Sequence, residues 1–95
     1  MKLRLTEPAA HDIRRITDQI ALHDPDRAER VAEQIEAALK AIGRAPSLCS
    51  PIRRARVATA RKKSVRPYLI LFEIAGDEIW ILRIAHERSD WASLV

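Results

Sequence analysis

Tyr68-Leu69-Ile70-Leu71-Phe72-Glu73-Ile74-Ala75-Gly76-Asp77-Glu78-Ile79-Trp80-Ile81-Leu82-Arg83-Ile84-Ala85 is the stretch that decides the fold. Two runs rich in isoleucine, leucine and aromatics flank a Gly-Asp dipeptide, whose residues tolerate the backbone angles of a tight turn. This reads as a β-hairpin with strands over 68–75 and 78–85. With the turn at Gly76-Asp77, Ile74 faces Ile79, Phe72 faces Ile81 and Ile70 faces Arg83. On the opposite face Glu73 lies against Trp80 and Leu71 against Leu82. Both faces are mostly apolar, as expected of central strands covered on one side and partly on the other. Arg83 breaks the pattern. A cation among apolar neighbours persists when paired, and Glu73, Glu87 and Asp90 are the candidate carboxylates.

Upstream of the hairpin, Ala60 to Val65 is a shorter and cationic strand, placed at or near a sheet edge, and Arg66-Pro67 interrupts it. Residues 44–59 carry Pro46, Ser47, Ser50 and Pro51 with little periodicity and read as a loop. Before them come two helices. Thr6 is a hydroxyl N-cap followed by Glu7 and Pro8, and Ala9, Ile13, Ile16 and Ile20 recur at helical spacing, with Asp12, Arg14, Arg15 and Asp18 off the stripe. Asp24-Pro25 repeats the start signal. Ala28, Val31, Ala32, Ile35, Leu39 and Ile42 continue to Gly43, read as a left-handed C-cap. Glu36 and Lys40 form an i,i+4 pair in the favoured order. The connection at 22–24 is short enough to make the helices antiparallel. Leu3 and Leu5, alternating with Lys2 and Arg4, mark a first strand. The order is β-α-α-β-β-β, an α+β fold in one domain over residues 1–95: an αα-hairpin packed on a small antiparallel sheet.

The 95 residues are 47% hydrophobic and 32% charged, the balance of a folded protein. No apolar run is long enough for a signal peptide or a membrane span, so the expectation is a cytoplasmic protein with no membrane partner. The net charge of +4 is unevenly distributed. Residues 1–36 hold six basic and eight acidic side chains, residues 73–95 hold two and five, and residues 37–72 hold nine basic and none acidic. That middle third attracts nucleic acid or an acidic protein partner. The plainer alternative is a solvated loop and edge strand.

Candidate chemistry is sparse. His86, with Glu87, Arg88 and Asp90, directly follows the last strand, where an imidazole near neutrality can act as acid or base or simply hold a hydrogen bond. Arg61, Lys62, Lys63 and Arg66 precede Tyr68, a grouping able to bind phosphate and stack a base, though a basic edge strand looks the same. Cys49 has no neighbours that would activate a thiol and no disulfide partner. His11, His23 and His86 lack the spacing of a metal site, and no glycine-rich phosphate loop or hydrolase motif is present, so neither metal nor cofactor is expected.

Several strings, in order, resemble the RelE/ParE superfamily of bacterial toxins over nearly the whole chain. They are Ala10-x-Asp12-Ile13-x-x-Ile16, Pro25 with the stripe from Ala28 to Ile42, Pro46, Arg61, Tyr68 to Ile74, Gly76-Asp77-Glu78-Ile79, Ile81 to Ile84, and His86-x-Arg88-x-Asp90-Trp91. The resemblance implies the toxin of a type II toxin–antitoxin system, of the kind associated with plasmid stabilization. RelE-like members are ribosome-dependent mRNA endonucleases that often use a C-terminal tyrosine. ParE-like members inhibit DNA gyrase by binding. Here the only tyrosine is Tyr68, the terminal segment offers Trp91 and Ala92, and Leu69 stands where an endonuclease often has arginine, so the ParE branch is favoured and an enzyme is not. Phe72, Glu87 and Ser89 differ from residues common in that branch.

On this reading Arg61, Tyr68, Arg83, His86, Arg88 and Trp91 contact the target. Lys62, His86 and Arg88 are the catalytic candidates if the chain is RelE-like, and a non-toxic co-repressor subunit is a third class. Arg61 is expected to be anchored in the sheet on its functional side. The segment His86–Val95 is expected to be rigid at its start and free at its end. The implied partners are a cognate ParD-like, ribbon-helix-helix antitoxin on the helical hairpin (about 7–43) and adjacent sheet, DNA gyrase as target, and operator DNA only through the antitoxin.

Overall fold

The computed structural model describes residues 1–95, and its elements follow from the local signals with four informative differences. Strand β1 (Lys2–Leu5) leads into helix α1 (Glu7–Ala21) and helix α2 (Pro25–Arg44); strands β2 (Ser50–Pro51), β3 (Ala60–Val65), β4 (Tyr68–Ala75) and β5 (Glu78–His86) follow. Single 3-10 turns occupy Pro46–Leu48 and Trp91–Leu94. Thr6 and Asp24 cap the helices as expected, accepting from the N–H groups of Ala9 and Arg27. Glu36 and Lys40 pair at 3.6 Å on the exposed face of α2.

The first difference is in the sheet, which has five strands in the order β1-β5-β4-β3-β2 and is mixed rather than antiparallel. β1 pairs parallel with β5. No tight turn joins these two strands; both helices and the rest of the sheet lie between them in sequence, so the geometry that forces a hairpin to be antiparallel does not apply. β2, within the segment read as a loop, is two residues long and so carries no alternation to detect.

Register is the second difference. Ile74–Ile79, Glu73–Trp80 and Phe72–Ile81 pair as expected, but a bulge follows, and Leu71 then faces Arg83 and Ile70 faces Ile84. Strict alternation would have put Arg83 beneath the helices beside Ile79 and Ile81. The extra residue substitutes Ile84, which is 1% exposed and packs in the main core with Ile70, Phe72, Ile79 and Ile81. Thr6 locks this irregularity, because its hydroxyl donates to the Leu82 carbonyl at 2.9 Å and its N–H to that of Ile81 at 3.0 Å.

Third, α2 does not stop at Gly43 with a left-handed cap. It continues through Arg44 to Ala45, whose φ is −150°, and Pro46 ends it by lacking an N–H. Gly76, with φ of 64°, is the glycine that uses its freedom, at the hairpin turn.

The fourth difference concerns the terminal segment. The helices cover one face of the sheet with a core that includes Ile16, Ile35 and Ile42. On the other face Ile52, Ala60, Leu69, Leu71 and Val95 form a second cluster, with Trp91 and Leu82 against it. The carbonyl of Val95 accepts from the N–H groups of Arg56 at 2.8 Å and Val57 at 3.3 Å. The end of the chain is therefore not free, because Leu69 and Leu71 need a cover that the helices, on the far side, do not supply.

Candidate functional site

At the end of the sheet where β4 begins and β5 finishes, Tyr68 and His86 are cross-strand partners. Their rings meet edge to face, with centroids 5.8 Å apart and planes at 81°. The turn between the helices overhangs this pair and encloses a groove of about 340 Å³, lined on the helical side by Arg15, Gln19, Ile20, His23 and Arg27. The chain leaving β5 is held tightly. His86 Nδ1 accepts from the Arg88 N–H at 3.1 Å, the His86 carbonyl accepts from the Ser89 hydroxyl at 2.6 Å, and the Glu87 N–H donates to Pro67 at 2.8 Å. Glu87 also pairs with Arg66 at 3.3 Å. His86 thus fixes the exit from the sheet, while the Arg88 side chain stays exposed with no partner.

Of the other residues expected to contact a target, none joins this group. Trp91 lies on the far face of the sheet, where the Lys62 ammonium sits 4.8 Å from its ring. Arg61 is anchored, donating to the Cys49 carbonyl at 2.7 Å, and so holds the turn before β2 against β3. Arg61→Ala should keep the native circular dichroism while losing about 1–2 kcal/mol, because a charge-assisted hydrogen bond disappears. That corresponds to a melting temperature lower by roughly 5–15 °C. A collapse of the folded signal would instead make Arg61 indispensable to the sheet.

Arg83 has a partner, but none of Glu73, Glu87 and Asp90 supplies it. Its guanidinium forms a two-pronged pair with Asp12 of α1 at 2.8 and 3.1 Å, and the same carboxylate accepts from the Ile84 N–H at 3.0 Å. Asp12 is 1% exposed and not, as its place off the isoleucine stripe implied, in solvent. Burial opposes its charge most strongly. The hydrogen bonds from Arg83 and Ile84, with the positive charges of Arg83 and Arg15, outweigh burial and hold its carboxyl below the ordinary value. The hydrogen bond to Asp12 raises Arg83 in turn. Arg83 is accordingly a clamp between α1 and the bulge of β5. Residue patterns alone missed Asp12, and also missed Arg15, His23 and Arg27 of the groove, since a helix turn reaching over a sheet end leaves no local signal.

No three His, Cys, Asp or Glu side chains converge as a metal site, and no helix is long and apolar enough to cross a membrane. The family profile described as "ParE toxin of type II toxin-antitoxin system, parDE" matches residues 3–91. The chain belongs to the ParE toxin family. Among solved structures, this ParE-family chain is similar to one from the chromosomal ParDE toxin–antitoxin system of P. aeruginosa, with 27% identity, a TM-score of 0.77, and coverage of 90% of this chain and 95% of that one. A chain of the toxin–antitoxin complex RelBE2 from Mycobacterium tuberculosis shares the fold at 24% identity and a TM-score of 0.62, with the same coverage. No curated protein matches the chain.

Proposed function

We propose that this ParE-family chain is a toxin that inhibits DNA gyrase by binding, and that a ParD-like antitoxin laid over the helical hairpin and adjacent sheet restrains it. The observation that carries this reading is the dispersal of the nuclease candidates. Lys62 pairs with Leu71 on the face of Trp91, whereas His86 meets Tyr68 on the face of the helices. An acid, a base and a charge-stabilising cation must lie within hydrogen-bond reach of one phosphodiester to cleave it, and these lie on opposite sides of a sheet. The exposed Arg88, its backbone N–H seated on His86 two residues from the Tyr68–His86 pair, offers instead an unpaired cation for a binding hot spot. The likeness to the P. aeruginosa ParDE chain supports a partner of the ParD kind.

Gyrase supercoiling titrated with purified chain tests the reading. Inhibition is expected. Arg88→Ala should raise the concentration needed by about tenfold or more, as loss of a hot-spot arginine does, and His86→Gln should raise it by less than Arg88→Ala does, because it loosens the hydrogen bond that seats the segment without removing the cation. Cleavage of ribosome-bound mRNA that His86→Gln abolishes would replace this reading with the RelE-type one.

A further inference from the structure

The nine cations of residues 37–72 fall into two groups once the chain is folded. Five are engaged internally: Lys40 with Glu36, Arg66 with Glu87, Arg61 with the Cys49 carbonyl, Arg56 with the Ser93 carbonyl and Lys62 with the Trp91 ring. Arg44, Arg53, Arg54 and Lys63 have no such partner, and they lie along one edge. β2 pairs with β3 at Arg61 and Lys62, and the Ile52 N–H continues the cover to the Ala60 carbonyl, so the sheet edge is open from Lys63 onward. The end of α2 overhangs the opening, leaving a cleft of about 410 Å³ lined by Arg44, Lys62, Lys63, Ser50 and Ser64 among others and containing no carboxylate. At the opposite end of β2 the chain turns through the exposed Arg53-Arg54. Arg54 holds a φ of 65°, a left-handed backbone that glycine or asparagine would adopt with less strain. An exposed side chain offers no packing reason for arginine there.

We propose that this edge binds the sugar–phosphate backbone of duplex DNA. From the level of Lys63 to that of Arg53 is about four strand positions, or roughly 13 Å. That is too long for a single anion, but it meets several phosphates of a duplex carrying one charge per about 1.7 Å. Serine hydroxyls beside the cations add donors for phosphate oxygens. No exposed aromatic stands on this edge, so the stacking platform that single strands require is absent. The choice of duplex DNA rests on the gyrase reading, since duplex DNA is the substrate of that enzyme.

The test is fluorescence anisotropy of a labelled mixed-sequence duplex of about thirty base pairs with the full chain over a range of salt. Binding is expected with a log–log salt slope of about −3 to −4, and a slope near −1 would mean a single-anion site and overturn the proposal. Arg44→Gln with Lys63→Gln should reduce the slope by about two and weaken low-salt affinity at least tenfold, as should Arg53→Gln with Arg54→Asn. Lys2→Gln, on the far edge, should leave both unchanged. Circular dichroism confirms folding of these surface variants. Tighter binding of poly-glutamate than of duplex would assign the edge to an acidic protein, and tighter binding of a single-stranded RNA would remove the duplex assignment; either overturns the proposal. Because gyrase is absent, duplex binding without inhibition of supercoiling refutes the gyrase reading alone, and inhibition without duplex binding refutes this edge alone.

Discussion

Replacing Asp12 with alanine will cost about 3 kcal/mol of folding stability, a large share of what a chain this size possesses. The carboxylate is the single acceptor for three donors, the two guanidinium nitrogens of Arg83 and the Ile84 N–H, and it joins α1 to the bulge that aligns β5. Without it a buried N–H and a half-buried cation are left unsatisfied. The Arg83 side chain retains 33% of its exposure and recovers some hydration, which keeps the figure at the lower end of losses seen when buried pairs are broken. The expected fall in melting temperature is roughly 12–24 °C. Arg83→Met is expected to be at least as damaging, because it strands an almost fully buried carboxylate. The double variant Asp12→Ala, Arg83→Met should recover the part of the loss that comes from unpaired charge, since neither charge then remains, while the Ile84 N–H stays unsatisfied. Thermal unfolding of the four proteins checks this cycle, and a double variant no better than the singles would mean that the pair does more than satisfy itself.

The same pair sets an acid limit. Asp12 has a folded pKa below its unfolded one, so its contribution is fully present above the unfolded value of about 3.9 and is lost as pH falls through the lower, folded value. Wild-type stability should decline in that acidic window, and the double variant should lack this part of the decline.

Deleting Trp91–Val95 will unfold or loosen the sheet rather than merely disarm the protein. Val95 is 5% exposed, and with Trp91 it covers Ile52, Leu69 and Leu71. Its carbonyl also satisfies the N–H groups of Arg56 and Val57. Losing one buried aliphatic side chain, part of an indole and those hydrogen bonds removes about 3–5 kcal/mol. The truncated chain should bind a hydrophobic dye and lose its sharp thermal transition. A deletion that abolishes growth inhibition would therefore say nothing about target contact, whereas Arg88→Ala, which removes an exposed side chain, separates binding from folding. A truncated chain as stable as the full one would show that the second cluster contributes little.

Local features were legible in the sequence because their causes are local. Thr6 and Asp24 announce helix starts by their own oxygens, the isoleucine stripe and the run from Ala28 to Ile42 mark buried faces (with Ala38 buried in the second and Ala32 exposed), and Gly76-Asp77 turns the hairpin whatever surrounds it. Tyr68 and His86 could be placed at one end of the sheet because each stands at the open end of a hairpin strand. Only the tertiary structure decided what depends on contacts between distant segments. The parallel seat of β1 beside β5 is made across 76 residues, for Lys2 and Glu78 are partners. The bulge at Leu82 exists because Ile84 is worth more than Arg83 beneath the helices, and alternation carries no record of that competition. Asp12 reads as a solvent residue on its own helix and becomes the most buried charge in the chain once Arg83, 71 residues away, arrives to pair with it. Lys62 and His86 look like neighbours in a common chemistry until the pleat, with its period of two, sends them to opposite faces.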